Sequence, residues 1–196
     1  MLVVAVVLAA GAGSRFHAAH HKLNTEVTSE LGRRQLVEHA IEHAVASEIG
    51  PVVVVTGATE LQLPPRLASL VSVVENPDWS DGQSRSIAVG IDEARRLGAD
   101  HVLIGLGDQP GIAASAWRAV GSAQAEWLIV VASYDGRRGP HPVRLHRSMW
   151  PLLPATGDDG ARTLLRERPE LVHEMPCLGT AADIDTLEDV QRWKNS

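Results

Sequence analysis

Short apolar runs alternate with polar, glycine-containing or proline-containing turns along this chain of 196 residues. Five runs have the composition of strands that are buried on both faces: residues 2–8, 52–55, 71–74, 102–106 and 128–132. Between them, residues 34–47 and 84–97 place apolar side chains at helical spacing, and glycines follow both segments. Strands that alternate with helices predict an α/β fold, with a doubly wound, mostly parallel sheet and helices on both faces. Ligands of such sheets bind at the carboxyl ends of the strands.

The regular alternation weakens after residue 134. Residues 135–140 have the composition of a turn, and residues 141–146 that of a short strand. Residues 158–168 predict a helix that begins at an aspartate cap, Asp158. We interpret this region as an elaboration on the sheet.

A last helix is predicted near residue 187. Thr186 and the acidic residues after it have the form of a capping box, and residues 183–185 predict a strand that leads into the helix. We expect residues 1–196 to form a single domain, since two independent cores would be cramped in this length.

The composition favours a small-molecule partner. The formal net charge is −6, which argues against nucleic-acid binding, because that needs a basic surface. The only cysteine, Cys177, allows no intrachain disulfide, so we expect a reducing, cytoplasmic location. The apolar run at residues 2–8 is too short to cross a bilayer and has no basic residues before it, so we expect no membrane association.

The first apolar run leads directly into a loop of small residues, residues 9–14, followed by Arg15 and, seven residues later, Lys22. Glycines such as Gly11 and Gly13 allow backbone N–H groups to approach a polyphosphate closely, and the two cations add positive charge. The glycine spacing matches neither a P-loop nor a dinucleotide fingerprint. The small residues and the two cations predict a nucleotide-binding loop. A plain glycine turn with surface charges is the alternative interpretation.

A second polar junction, Gly107-Asp108-Gln109-Pro110, follows the apolar run at residues 102–106. A carboxylate at the end of a buried strand suits Mg²⁺, which takes few protein carboxylates and completes its shell with water and phosphate oxygens. Asp183 and Asp185 offer a second carboxylate, and we favour Asp185. A turn role for Asp108 and a helix N-terminal role for Asp185 are the alternatives.

These junctions together resemble those of the molybdenum cofactor cytidylyltransferases, a group of nucleotidyltransferases. Residues 76–86 are similar to the Asn-x-x-Trp-x-x-Gly-x-x-x-Ser segment of that family, which lies near the nucleotide base and ribose. Residues 139–143, 157–162 and 183–186 also match in family order. The matches span almost the whole chain, and their combination is more specific than any one of them.

The resemblance implies a Rossmann-like, nucleotide-diphospho-sugar transferase-like fold and an Mg²⁺-dependent reaction. The reaction would transfer CMP from CTP to the terminal phosphate of molybdenum-molybdopterin and release pyrophosphate. CTP is favoured because the Ala-Ala-Gly start resembles the cytidylyl branch. The product implies a molybdoenzyme or its maturation factor as a further partner.

The same resemblance implies functional roles for individual residues. Catalysis would rest on Arg15, Lys22 and Asp108, and the metal on Asp108 and Asp185. The acceptor site would include His141, Asp158 and Arg162. Nucleotide contacts are expected from the following residues: Leu8, Ala9, Ala10, Gly11, Gly13, Arg15, Lys22, Asn76, Gly82, Ser84, Ser86 and Asp108.

Three other functions stay open. The spacing from Arg15 to Lys22 is two residues longer than usual in the molybdenum cofactor enzymes and matches enzymes that act on a sugar or polyol phosphate. Some similar sequences are assigned a different activity, that of an NAD(P)H-dependent oxidoreductase that acts on an aromatic pigment. A carrier that hands over the cofactor without transfer is the non-enzymatic option.

Trp79 is a candidate for stacking on a ligand, and His17, His20 and His21 are expected to be surface residues.

Overall fold

A computed structural model describes residues 1–16 and 21–194, so His17 and His20 lie outside the described residues. The strands are β1 (Val3–Ala9), β2 (Glu26–Ser29), β3 (Gly32–Gln35), β4 (Val52–Thr56), β5 (Val71–Glu75), β6 (His101–Leu106), β7 (Ile129–Tyr134), β8 (Arg137–His146) and β9 (Val172–Pro176). The α-helices are α1 (Leu36–Ala46), α2 (Pro65–Ala68), α3 (Gln83–Arg96), α4 (Ala114–Gly121), α5 (Arg162–Glu167) and α6 (Leu187–Lys194). Short 3₁₀ turns occupy Lys22–Asn24, Trp79–Asp81, Arg147–Leu152 and Pro169–Leu171.

Seven strands form one central sheet in the order β5-β4-β1-β6-β8-β7-β9. Strand β8 runs antiparallel to β6 and β7, whereas the other neighbouring strands are parallel. The predicted mostly parallel, doubly wound α/β sheet is therefore confirmed. Strands β2 and β3 form a separate antiparallel hairpin. In the described part of the chain, every helix falls short of the length and apolarity that a membrane crossing needs.

Strand β1 is buried on both faces because helices cover each side of the sheet. Its odd-numbered residues, such as Val7, pack in a cluster with apolar residues of α1 and α4. Its even-numbered residues, such as Val6, pack in a second cluster with α3 and α5. At Gly90 in α3, an added Cβ would lie 2.6 Å from Cγ1 of Val6. Glycine therefore lets α3 approach β1 closely.

The predicted turn over residues 135–140 is wrong beyond its first two residues. Only Asp135 and Gly136 turn, with φ of 50° and 71°, and β8 begins at Arg137. The β7–β8 hairpin then pairs Tyr134 with Arg137. Exposed arginines and a glycine hid the first residues of this strand, because the sequence pattern of a buried strand is apolar, whereas the strand predicted at residues 141–146 is confirmed as the second half of β8. The half-exposed strands β2, β3 and β9 escaped prediction for the same reason.

The predicted cap at Asp158 is also wrong. Helix α5 begins at Arg162, with no side-chain cap at the preceding residue, Ala161. Asp158 Oδ1 instead accepts a hydrogen bond of 3.3 Å from the backbone N–H of Gln83, the first residue of α3. The aspartate therefore caps a helix that is distant in sequence, a relation that local spacing does not reveal.

The last helix begins as predicted, but the strand before it is absent. Thr186 Oγ1 accepts from the backbone N–H of Asp189 (3.2 Å), and Asp189 Oδ2 accepts from that of Thr186 (2.8 Å), so the capping box is confirmed. Residues 181–185 have no regular secondary structure. Hydrogen bonds to the loop after β6, rather than a strand ladder, hold this segment.

Candidate active site

A cavity of about 590 Å³ opens at the carboxyl ends of β1 and β6. This edge is where doubly wound sheets bind ligands. Most of the residues predicted from the sequence line the cavity: Leu8, Ala9, Ala10, Gly11, Gly13, Arg15, Lys22, Gly82, Ser86, Asp108, Asp158, Arg162 and Asp185. The fold thus brings together residues that lie up to 177 positions apart, from Leu8 to Asp185.

Three predicted residues do not line the cavity. Asn76 is fully buried and donates from Nδ2 to Ser86 Oγ at 2.9 Å. Because Ser86 Oγ accepts this bond, its own hydrogen is available to a ligand in the cavity. Ser84 is buried, and its backbone N–H donates to the Gly157 carbonyl. Asn76 therefore orients a lining residue rather than facing the cavity itself.

His141 is the third of these residues and is buried outside the cavity lining. Burial and the nearby positive charge of Arg162 lower its pKa to about 3. The imidazole is therefore neutral at physiological pH. Its carbonyl accepts from the hydroxyl of Tyr134 at 3.0 Å.

An ion-pair network crosses the cavity. Lys22 Nζ lies 2.6 Å from Asp108 Oδ2 and 2.7 Å from Asp185 Oδ1. Arg15 pairs with the other oxygen of Asp185 at 2.8 Å. Burial alone would lower the pKa of Lys22, but the charges and hydrogen bonds of the two aspartates outweigh it and raise the pKa. Both predicted cations and both predicted metal ligands are therefore joined in one network.

Local structure around the first junction places Lys22. The loop leaves β1 at Ala9 and returns through a 3₁₀ turn that begins at Lys22. His21 caps this turn, since its Nδ1 accepts from the backbone N–H of Leu23, and its Nε2 lies 2.9 Å from the Gly11 carbonyl. Gly13 has a φ of 61°, which favours glycine. His21 is thus part of the loop structure, not a free surface residue.

The opposite wall of the cavity forms where α3 meets the loop before α5. An added Cβ at Gly82, whose φ is 101°, would lie 2.5 Å from the backbone of Gly157. Only glycine permits this approach. Gly157 also accepts from the backbone N–H of Ser84 at 2.9 Å. The close contact sets Asp158 and Arg162 opposite the loop that follows β1.

Several lining residues were assigned no role from the sequence motifs. They are Ala12, Ser14, Leu23, Trp79, Ser80, Gln83, Leu106 and Asp183. Most are neighbours of predicted residues, so adjacency was the available signal. Trp79, a candidate for ligand stacking, does face the cavity. Asp183 is an exposed residue, although partial burial of its carboxyl group and the charge of Asp108 raise its pKa.

The carboxylates in the cavity fit a hard divalent cation. Asp108 Oδ1 is buried and has no hydrogen-bond partner among the described residues, so it is available as a metal ligand. Carboxylate oxygens are the ligands that Mg²⁺ and Mn²⁺ prefer. Within residues 1–16 and 21–194, no group of three or more His, Cys, Asp or Glu side chains is placed to hold a metal ion. Mg²⁺ usually takes one or two protein carboxylates together with substrate phosphates.

A mostly parallel sheet whose carboxyl edge carries a glycine loop, two cations and a set of aspartates defines an α/β nucleotide-binding protein. The MobA-like NTP transferase domain matches residues 5–173. The chain therefore belongs to this family of nucleotidyltransferases. The family suggested by the sequence motifs is confirmed.

A curated relative extends the similarity to nearly the full chain. Nicotine blue oxidoreductase of Paenarthrobacter nicotinovorans is 33% identical over 203 residues, which cover 97% of this chain and 95% of the relative. Its name describes an oxidoreductase, whereas the family is described as an NTP transferase domain.

Solved structures support the same fold. A nucleotidyl transferase from Methanothermobacter superposes with a TM-score of 0.77 at 20% identity, over 99% of this chain and 96% of that one. Rv0371c from Mycobacterium tuberculosis H37Rv, solved as a complex with manganese, superposes with a TM-score of 0.74 at 21% identity over 100% of both chains.

Proposed function

We propose that this nucleotidyltransferase transfers CMP from CTP to the terminal phosphate of molybdenum-molybdopterin and releases pyrophosphate. The observation that carries the proposal is the Lys22–Asp108–Asp185–Arg15 network at the carboxyl edge of the sheet. In the reaction, an acceptor phosphate oxygen attacks the α-phosphorus of CTP. The bond between the α-phosphorus and the bridging oxygen to the β-phosphorus breaks, and pyrophosphate leaves.

The loop at residues 9–13 and the two cations would bind the triphosphate. Lys22 and Arg15 exchange their aspartate partners for phosphate oxygens when the nucleotide enters. In that position they stabilise the negative charge on the α-phosphate and on the leaving pyrophosphate. Phosphoryl-type transfer relies on positioning and charge stabilisation, so no nucleophilic side chain is needed.

Asp108 and Asp185 would hold the divalent cation, which we propose to be Mg²⁺. Bound there, it would neutralise phosphate charge and polarise the α-phosphate. The unpartnered Oδ1 of Asp108 supports this assignment. Manganese in the Rv0371c structure supports a divalent metal in a protein of the same fold.

The acceptor would bind against the wall that carries Asp158 and Arg162. Arg162 would pair with an acceptor phosphate, and neutral His141 would support Arg162 from behind. The Ser86 hydroxyl, oriented by Asn76, would donate to the nucleotide. We further propose that residues 1–196 act as a single domain and that a molybdoenzyme or its maturation factor receives the product in the cytoplasm.

The test is release of pyrophosphate from each of the four NTPs with Mg²⁺ and molybdenum-molybdopterin. We expect release with CTP and little with the other nucleotides. In Asp108→Asn, we expect turnover to fall by at least about 100-fold, because a lost metal ligand costs several kcal/mol of transition-state stabilisation. Asp92→Asn, which changes an exposed carboxylate on α3 outside the cavity lining, is the matched control.

Three results would count against this proposal in different ways. CTP-dependent release that survives in Asp108→Asn would exclude Asp108 as a metal ligand. Release that requires a sugar or polyol phosphate would replace the acceptor and leave the metal site intact. Binding of the acceptor without release from any NTP would favour a carrier.

An NAD(P)H-dependent oxidoreductase acting on an aromatic pigment is the second candidate. The specific observation in its favour is the 33% identity to nicotine blue oxidoreductase over 97% of the chain. A cavity with a phosphate-binding loop and Trp79 also suits a dinucleotide diphosphate and an aromatic ring. Thermal unfolding with CTP and with NADPH separates the two candidates, since a ligand raises the midpoint only of a protein that binds it.

A further inference from the structure

The segment that carries Asp185 has no secondary structure of its own. Residues 181–185 form neither helix nor strand, although they deliver a carboxylate to the centre of the cavity. A loop without a ladder needs other bonds to fix its position. The position of Asp185 therefore depends on contacts with neighbouring elements.

Gln109 supplies two of these contacts. Its side chain is completely buried beneath the cavity. Nε2 donates to the Ala181 carbonyl at 2.9 Å and to Asp183 Oδ1 at 2.6 Å. Both N–H groups of the amide thus donate to the segment that precedes Asp185. One of the two acceptors, Asp183, lies two residues before Asp185 in the sequence.

Backbone contacts extend this attachment along the segment. The N–H of Ile184 donates to the Asp108 carbonyl at 3.0 Å, and that of Thr180 donates to the Gly111 carbonyl at 3.2 Å. An added Cβ at Gly111 would lie 2.9 Å from the Thr180 carbonyl oxygen, so the two segments lie in close contact. The turn after β6 therefore carries both Asp108 and the group that holds the opposite segment.

We propose that Gln109 is a positioning residue that fixes the spacing between Asp108 and Asp185, and so sets the affinity of the site for a divalent cation. Its partner Asp183 acts as the hydrogen-bond acceptor of this contact, not as a metal ligand. The inference rests on the proposed function in one respect, namely that Asp108 and Asp185 bind the metal. Partners behind metal ligands typically change metal affinity by about 10-fold to 100-fold when they are lost.

The first variant removes the amide and retains the volume and every charge. In Gln109→Met, we expect the dissociation constant for Mn²⁺, measured by calorimetry without nucleotide, to rise by about 10-fold or more. Hydrogen exchange at the amide of Ile184 should accelerate, because the segment loses two of its ties. Thermal unfolding of the same sample verifies that the protein is folded.

A matched pair at Asp183 tests the contact without altering the buried glutamine. Asp183→Asn removes the charge but retains the oxygen that accepts from Gln109, whereas Asp183→Ala removes both. We expect the dissociation constant of the Asp183→Asn protein for Mn²⁺ to stay within about threefold of the wild-type value. The dissociation constant of the Asp183→Ala protein should be about 10-fold higher than that of the Asp183→Asn protein. Since neither variant has a charge at this position, their difference measures the hydrogen bond.

The outcomes separate this inference from the proposed metal site. Unchanged Mn²⁺ affinity in folded Gln109→Met protein, or equal affinity in the two Asp183 variants, overturns the positioning role alone. Folded wild-type protein that binds no Mn²⁺ overturns the metal site and the positioning role together. Asp108→Asn is the reference, because it should lose Mn²⁺ binding while the Ile184 amide continues to exchange slowly.

Discussion

The two ends of the central sheet hold their buried cations in different ways. At the carboxyl end, Lys22 is held by the side chains of Asp108 and Asp185. Near the opposite end, Arg144 of β8 is completely buried and, among the described residues, donates only to backbone carbonyls. Its four acceptors belong to the end of α4 and the loop that follows: Gly121, Ala123, Gln124 and Trp127.

This difference distinguishes a cation of the candidate site, Lys22, from a cation that holds elements of the fold together, Arg144. Carboxylate partners can rotate away and accept a different cation, so we expect Lys22 to change partners when a ligand enters. Backbone carbonyls are fixed by the fold, so Arg144 has no alternative arrangement. We therefore expect changes at Lys22 to affect chemistry and changes at Arg144 to affect stability.

The largest effect is expected at Lys22. In Lys22→Met, turnover should fall by at least about 100-fold, because the cation that we propose stabilises the phosphates is lost. Asp108 and Asp185 would then repel each other, so the protein should also be less stable. Millimolar Mn²⁺ should restore this stability and leave turnover low, as thermal unfolding and pyrophosphate release would show. Turnover close to that of wild type would remove Lys22 from the proposed mechanism.

Arg144→Met should give the opposite result. The free energy of unfolding should fall by about 3 kcal/mol, because several buried carbonyls lose their donor. Turnover per folded molecule should be unchanged, and Mn²⁺ should not restore the lost stability. Urea denaturation measures the first quantity and a pyrophosphate assay the second. A large loss of turnover in folded protein would contradict the separation between the two ends.

A smaller effect, dependent on pH, is expected at His101, the first residue of β6. Burial and the nearby charge of Arg144 lower its pKa from 6.5 to about 4. The unfolded chain then binds a proton that the folded protein does not, so stability falls as the pH drops from 6.5 towards 4. The loss should reach about 2 kcal/mol at pH 5.

His101→Leu isolates this contribution. The difference in unfolding free energy between wild type and variant should change with pH over this interval and be constant above it. His141, whose pKa is lowered to about 3, is present in both proteins and cancels from the difference. Parallel stability curves from neutral pH to pH 4 would show that His101 does not titrate in this way.

Prediction from the sequence succeeded where a local pattern reflects burial. The five apolar runs became β1, β4, β5, β6 and β7 with ends shifted by at most two residues, although β5, at the edge of the sheet, is partly exposed and not buried on both faces as predicted. The capping box at Thr186 is also local and was found. Partly exposed strands, such as β2 and β9, carry a mixed pattern that the sequence shares with turns.

Most of the candidate site followed from motifs, but its internal organisation did not. The junctions predicted which residues gather at the carboxyl edge, because parallel strands end there together. Sequence separation hides the contacts of Gln109 with Asp183, 74 positions away, and of Asp158 with Gln83, 75 positions away. No local spacing specifies such pairs, since they depend on how elements pack.

The sequence by itself determined the class of fold, the two polar junctions and the candidate residues, because apolar periodicity and glycine loops are properties of neighbouring positions. Only the tertiary structure decided how these residues meet: Lys22 between Asp108 and Asp185, Gln109 bonded to Asp183, and His141 near enough to Arg162 for that charge to lower its pKa. The physical reason is that burial and charge pairing depend on distances across the sheet, which the packing of helices on its two faces sets.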